Sequence, residues 1–159
     1  MQINIIAVGK IKKDFIQMGI DEYLKRLSRY TKVNIIEVKD EKIPGNASDA
    51  EIEQIKEKEA ERILERIPRN SYVIALEVRA KTMTSEGLAK WIKNKQVQGW
   101  SNITFIIGGA VGLHPKISEQ ANLPLSFSYM TFTHEMIRMI LLEQVYRAFK
   151  IMNNEPYHL

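Results

Sequence analysis

The sequence predicts an α/β domain built on a parallel sheet. Two observations carry that prediction. Short runs rich in β-branched apolar residues alternate with stretches of helical periodicity along the chain. One of them, Ile103–Ile107, closes directly on Gly108-Gly109-Ala110-Val111-Gly112. A strand ending in a glycine turn lets a ligand approach bare backbone, and neighbouring strand ends form the crevice where open α/β sheets bind ligands.

Taken in order, Ile3–Val8 is a strand closed by Gly9-Lys10, and Asp14–Leu27 is a helix with Phe15, Ile20, Tyr23, Leu24 and Leu27 on its inner side. Val33–Val38 is a strand, and Lys39–Ala47, with Pro44-Gly45-Asn46, is a loop. Ser48 followed three residues on by Glu51 is a capping-box signature. The helix it opens carries Ile52, Ile55, Ala60, Ile63, Leu64 and Ile67 at helical spacing and stops at Pro68-Arg69-Asn70. Tyr72–Val78 is a strand, and Thr84 or Ser85 caps a short helix with Leu88, Trp91 and Ile92. After Ile103–Ile107 and a loop, Leu123–Met130 is a strand and His134–Met152 the last helix. The order β-α-β-α-β-α-β-loop-β-α predicts parallel strands with helices on both faces.

At 159 residues the chain reads as a single domain, 1–159. It has no cysteine, which excludes disulfides, thiolate metal sites and a cysteine nucleophile. Ile3–Val8 is too short for a membrane span or a signal sequence, so the expected location is the cytoplasm. The net charge of +4 is unevenly spread. Residues 1–40 carry 8 basic and 5 acidic side chains, residues 41–70 carry 6 and 8, and residues 71–159 carry 9 and 6. Both ends lean basic, which is compatible with a polyanionic partner.

Motifs for chemistry are few. The glycine turn lacks the G-x-G-x-x-G spacing of a dinucleotide site and the Lys-Ser/Thr pair of a P-loop. His114, His134 and His158 fall at no metal-ligand spacing, so no metal is expected. No serine sits in a G-x-S-x-G elbow, and Ser126 and Ser128 read as the polar face of a strand. The final helix carries His134, Glu135, Arg138, Glu143, Gln144 and Arg147 beside its apolar face, and Glu143 with Arg147 is an ordinary i, i+4 pair. Met136, Met139 and Ile140 point away from Leu141, Leu142 and Val145, so one internal face cannot bury all of them, and the helix is either central to the fold or at an interface.

From INIIAVGK through FIIGGAVGL to SFSYMTFTHEMIRMILLEQVYRAFKI and the closing EPYH, the chain resembles the small SPOUT-class methyltransferases that modify N3 of a pseudouridine in bacterial 23S ribosomal RNA. It departs from their pattern at Ala80, where Gly is usual, at Thr133, where Pro is usual, and at Leu159, where a basic residue is usual. The resemblance implies a C-terminal deep trefoil knot whose loops hold S-adenosylmethionine. The cofactor residues would be Leu76, Gly108, Gly109 and the segment Phe127, Ser128, Tyr129, Met130, Thr131 and Phe132, with the two glycines leaving room for the ligand. It also implies a homodimer with each active site built from both chains. The substrate would be the helix 69 stem-loop of 23S rRNA in the assembled ribosome. Arg138 would stabilise the charge left on the deprotonated base, His158 would be the general base with His134 as the alternative, and Tyr157 would stack on the flipped nucleotide. A nucleotide-binding module without a reaction, an RNA-binding assembly factor and a tRNA methyltransferase are rival readings.

Overall fold

A computed structural model describes all residues 1–159. Five parallel strands form one sheet in the order β2-β1-β4-β3-β5: β1 is Gln2–Val8, β2 Lys32–Val38, β3 Ser71–Thr82, β4 Asn102–Ile107 and β5 Leu123–Ser126. The helices are α1 (Asp14–Leu27), α2 (Asp49–Leu64), α3 (Ser85–Val97), α4 (Pro115–Gln120) and α5 (His134–Met152). The alternation of side chains along each strand sends Ile3, Ile5 and Ala7 of β1 into a core with α1, α3 and α5, and Ile6 and Val8 into a second core with α2 and α4. Both faces of the sheet are thereby covered, as parallel sheets require.

The helix signals act as expected. Ser48 and Glu51 form the reciprocal capping box of α2, and Thr84 caps α3 by accepting from the Gly87 amide. Thr133, where the resemblance anticipated Pro, caps α5 by accepting from the Met136 amide at 3.2 Å.

Four expectations are corrected. Phe15 is 62% exposed, and Ile16 takes its place in the core. Residues 16, 20, 23, 24 and 27 share one helical stripe, and residue 15 lies off it. Ile67 lies beyond the end of α2, although it packs against the second core. The strand expected to run to Met130 ends at Ser126, whose hydroxyl donates to the Val78 carbonyl at 2.7 Å. Ser128 then accepts from the Met130 amide at 3.0 Å, so Ser126 closes the strand and Ser128 belongs to the turn that follows rather than to the same strand face. Helix α4 occupies what was expected to be loop, with His114 as its cap and Ile117 as its one buried side chain.

Strand β3 runs four residues past the expected Val78. Its register against β5 jumps: Leu76 pairs with Leu125, and Lys81 pairs with the same residue. Residues 77–80 are therefore looped out of the ladder, a bulge beside the strand ends.

Candidate active site

The carboxyl ends of β3 and β4 open into a cleft of about 500 Å³, within the size range of small-molecule sites. Leu76 and Glu77 line it from β3, and Ile107, Gly108, Gly109 and Leu113 line it from the β4 end and the turn. Phe127, Ser128, Met130, Thr131 and Phe132 contribute the third wall, with His134 and Ile137 from α5. Of the nine residues expected to hold a cofactor, eight line this cleft; Tyr129 does not, and is 72% exposed.

The glycines answer a constraint beyond the expected room for a ligand. A Cβ on Gly109 would lie 3.0 Å from Val8 Cγ1 and 3.3 Å from Glu59 Oε1, and one on Gly108 would lie 2.9 Å from the Gly112 backbone. The turn is glycine because the protein's own chain approaches it closely. Glu59 is buried; its Oε2 accepts from the Glu41 amide at 2.9 Å and its Oε1 has no partner. Burial pushes its carboxyl above the ordinary range.

His134 brings a titratable ring into the cleft, and its buried Nδ1 has no hydrogen-bond partner. Arg138, one helical turn later, is 1% exposed and faces elsewhere. Its Nη1 donates to Glu37 at 2.7 Å and its Nη2 to the Gly9 carbonyl at 3.1 Å, fastening the start of α5 to the ends of β1 and β2. Glu135 completes that fastening by accepting from the amides of Lys12 and Lys13 at 2.6 and 3.0 Å. Those two amide bonds hold the Glu135 carboxyl below its usual range.

The tail is ordered rather than frayed. Tyr157 packs edge-on against Tyr146 with centroids 4.9 Å apart, and its hydroxyl donates to Glu143 at 3.0 Å. Burial, aided by Glu143, pushes the phenol up to about 12, so Tyr157 is a neutral donor at physiological pH. Glu143 also receives Arg147, whose guanidinium lies 4.7 Å from the Tyr157 ring and 3.1 Å from His158 Nδ1. The i, i+4 pair is thus the bracket that holds the tail. His158 Nε2 meets Glu86 at 2.6 Å. Glu155 accepts from Tyr30 and from Lys150, each at 2.8 Å.

None of Arg138, Tyr157 and His158 lines the cleft of its own chain. A second cavity of about 210 Å³ adjoins it, sharing Phe127 and Phe132 and reaching Thr84, Ser85 and Gln144, next to the Glu86 and Glu143 that hold the tail. His134 is the residue sequence reasoning ranked second and the geometry brings forward; its place at the N-terminus of α5, just after the third wall, was the available signal. No cluster of three or more His, Asp or Glu residues could hold a metal ion, and no helix is long and apolar enough to cross a membrane.

A family model described as predicted SPOUT methyltransferase matches residues 1–158. The chain is 66% identical over 158 residues to a protein of Halothermothrix orenii named ribosomal RNA large subunit methyltransferase H, with 99% of each chain covered. Among solved structures it resembles a probable methylase family protein from Haemophilus influenzae Rd KW20, with a TM-score of 0.52, 14% identity, and coverage of 99% of this chain and 70% of that one. At that identity the likeness is one of fold.

Proposed function

The chain belongs to the SPOUT methyltransferase family, and from that premise we propose that it transfers a methyl group from S-adenosylmethionine to N3 of a pseudouridine in the helix 69 stem-loop of 23S rRNA. It is a methyltransferase, and its relative's name supports ribosomal RNA as the substrate. The observation that carries the reading is the cleft at the carboxyl ends of β3 and β4, lined by eight of the nine residues expected to hold the cofactor.

The cleft suits this cofactor. Leu76, Ile107, Leu113, Phe127 and Ile137 supply apolar walls for an adenine ring, while the strand ends and the glycine turn offer backbone donors and acceptors for its edge. The unpartnered His134 Nδ1 leaves one polar atom free for a ligand. The threaded trefoil path remains part of this proposal, supported by the parallel sheet and the family match.

When bound, S-adenosylmethionine supplies a sulfonium-activated methyl group. The protein must then align the acceptor nitrogen and accept its imide proton. Because Tyr157 and His158 do not line the cleft of their own chain, in this reading each tail serves the partner's cleft in a homodimer. There Tyr157 stacks on the flipped base and His158 takes the proton, the role an imidazole most often plays in catalysis. His134 is the second reading for the base, favoured by its position in the cleft. Arg138 acts through its charge, one turn behind His134, since its terminal nitrogens are held by Glu37 and Gly9. An enzyme of this kind works where ribosomes are, in the cytoplasm.

Calorimetry should show binding of S-adenosylmethionine and none of ATP or NAD. Incubating the enzyme with assembled ribosomes from a deletion strain, then mapping the rRNA by mass spectrometry, should show one methylated pseudouridine. The isolated stem-loop should react poorly, because a chain of net charge +4 holds naked RNA weakly and with steep salt dependence. Equal turnover on protein-free rRNA would contradict the choice of substrate.

A further inference from the structure

Tyr129 separates from the residues around it. Phe127, Ser128, Met130, Thr131 and Phe132 face the cleft, whereas Tyr129 joins Val78, Arg79 and Ala80 around a shallow depression on the outer rim. Val78 borders both, so the depression adjoins the cleft. The register jump of β3 lies at this rim: residues 77–80 leave the ladder between Leu76 and Lys81.

The rim is apolar and exposed. Tyr129 is 72% exposed and Val78 37%. Such a patch beside a site marks an interaction surface. Its charge indicates the partner. Arg79 and Lys81 are both exposed, and neither enters an ion pair. Glu77, the carboxylate closest to them in sequence, instead accepts from Ser118 at 2.6 Å. An exposed aromatic ring beside the unpaired Arg79, next to a cleft for group transfer, has the composition of surfaces that stack unpaired nucleobases and hold the adjoining phosphates.

We propose that Tyr129 and the β3 bulge at Arg79 form a stacking platform for an unpaired nucleotide of the substrate RNA loop, adjacent to the one that enters the cleft. The proposal rests on the rRNA methyltransferase reading and adds to it the residues that grip the loop from the cofactor side. It also reassigns Tyr129, which the family resemblance placed against the cofactor.

The test uses full-length enzyme and assembled ribosomes. Tyr129→Ala should raise the KM for ribosomes about 10-fold or more, the scale of losing one base–aromatic stack, with the effect falling on KM rather than kcat. Tyr129→Phe should restore the wild-type KM, since the ring and not the hydroxyl is required. Arg79→Gln should lower the salt slope of ribosome binding by about one. Unchanged KM in Tyr129→Ala overturns the proposal. So does weakened S-adenosylmethionine affinity in calorimetry, which would make Tyr129 a cofactor wall. A shift to monomer in light scattering would make the rim a subunit interface and would overturn it equally. Failure of the wild-type enzyme to methylate ribosomes would overturn the functional reading and the platform together, whereas normal wild-type turnover with an indifferent Tyr129→Ala overturns the platform alone.

Discussion

His158 and Glu86 lie 72 residues apart in sequence, and Nε2 of the imidazole meets Oε1 of the carboxylate at 2.6 Å. Arg147, which can only donate, occupies the Nδ1 side at 3.1 Å. Nδ1 therefore accepts and Nε2–H donates, which selects one neutral tautomer. With both nitrogens engaged, His158 can take a proton from a substrate only after it leaves this bracket.

Deleting Tyr157–Leu159 should lower single-turnover methyl transfer on ribosomes by about 10²-fold or more, the low end of what a positioned acid–base group contributes, with cofactor affinity retained. His158→Ala should give much of that loss if His158 is the base, and His134→Ala should give it if His134 is. Because Tyr157 packs against Tyr146, the deletion should also cost about 1–2 kcal/mol of stability, so rates are compared on folded protein. Wild-type rates in the truncated enzyme would remove the tail from the mechanism.

The hydrogen bond from His158 holds the Glu86 carboxyl below its ordinary value of 4.5. A depressed carboxylate contributes its contact fully above the unfolded value and loses it as pH falls through the folded one. The tail should thus stay docked at neutral pH and release in acid below 4.5. The NMR signals of the His158 ring, followed from pH 7 downward, should change with Glu86 present and lose that acid transition in Glu86→Gln.

Light scattering at micromolar concentration should give the mass of a dimer. If each tail serves the partner's cleft, a chain lacking Tyr157–Leu159 and a chain whose own cleft cannot bind cofactor should each be inactive alone. Mixing and exchanging subunits should restore methylation, because one composite site is rebuilt. Absence of recovery in verified mixed dimers would confine the tail to its own chain.

Arg138→Ala should reduce both activity and stability. It leaves Glu37 without its guanidinium partner and the Gly9 carbonyl without a donor, a loss of about 2–3 kcal/mol for hydrogen bonds to a charged group, toward the low end because Glu37 remains 39% exposed. Glu37→Gln should cost less, since an acceptor oxygen remains. Urea melts of both variants decide this, and an Arg138→Ala protein of unchanged stability would refute the fastening role.

Gly109→Val should destabilise the fold, by about 1–3 kcal/mol of overpacking, because the added carbons meet Val8 and Glu59 rather than ligand space. Unaltered thermal stability with abolished cofactor binding would reinstate the ligand-room explanation. Glu59→Gln should act in the opposite direction. A carboxyl whose folded pKa is raised weakens the fold as pH climbs above its unfolded value. The variant should therefore melt higher than wild type at pH 7, by about 2–4 °C for each kcal/mol recovered, and the advantage should vanish near pH 4.

Much of this was legible in the sequence because it is local. The limits of α1 and α5 coincide with their hydrophobic stripes and terminal residues, and the Ser48–Glu51 box needs only three residues to form. Eight cleft residues were legible through family resemblance together with strand ends that spacing could locate. What spacing could not supply was long-range or aperiodic. Helix α4 buries one side chain and has no stripe to detect. The shortening of β5 depends on Ser126 turning to Val78, 48 residues away. The docking of the tail depends on Glu86, and Tyr129 sits beside residues that a register jump takes out of a different strand's ladder.

The sheet order also governs how the chain is made. β1 is flanked by β2 on one side and by β4 on the other, where Gln2 pairs with Asn102. During synthesis the β1-α1-β2 unit emerges first with one edge of its most buried strand unpaired until residue 107 is available, and its α1 face waits longer still for α5. Such non-local pairing slows folding and prolongs exposure of an apolar edge. The nascent protein should therefore remain dependent on holding chaperones until its last helix has been released, and N-terminal fragments ending before β4 should aggregate rather than fold.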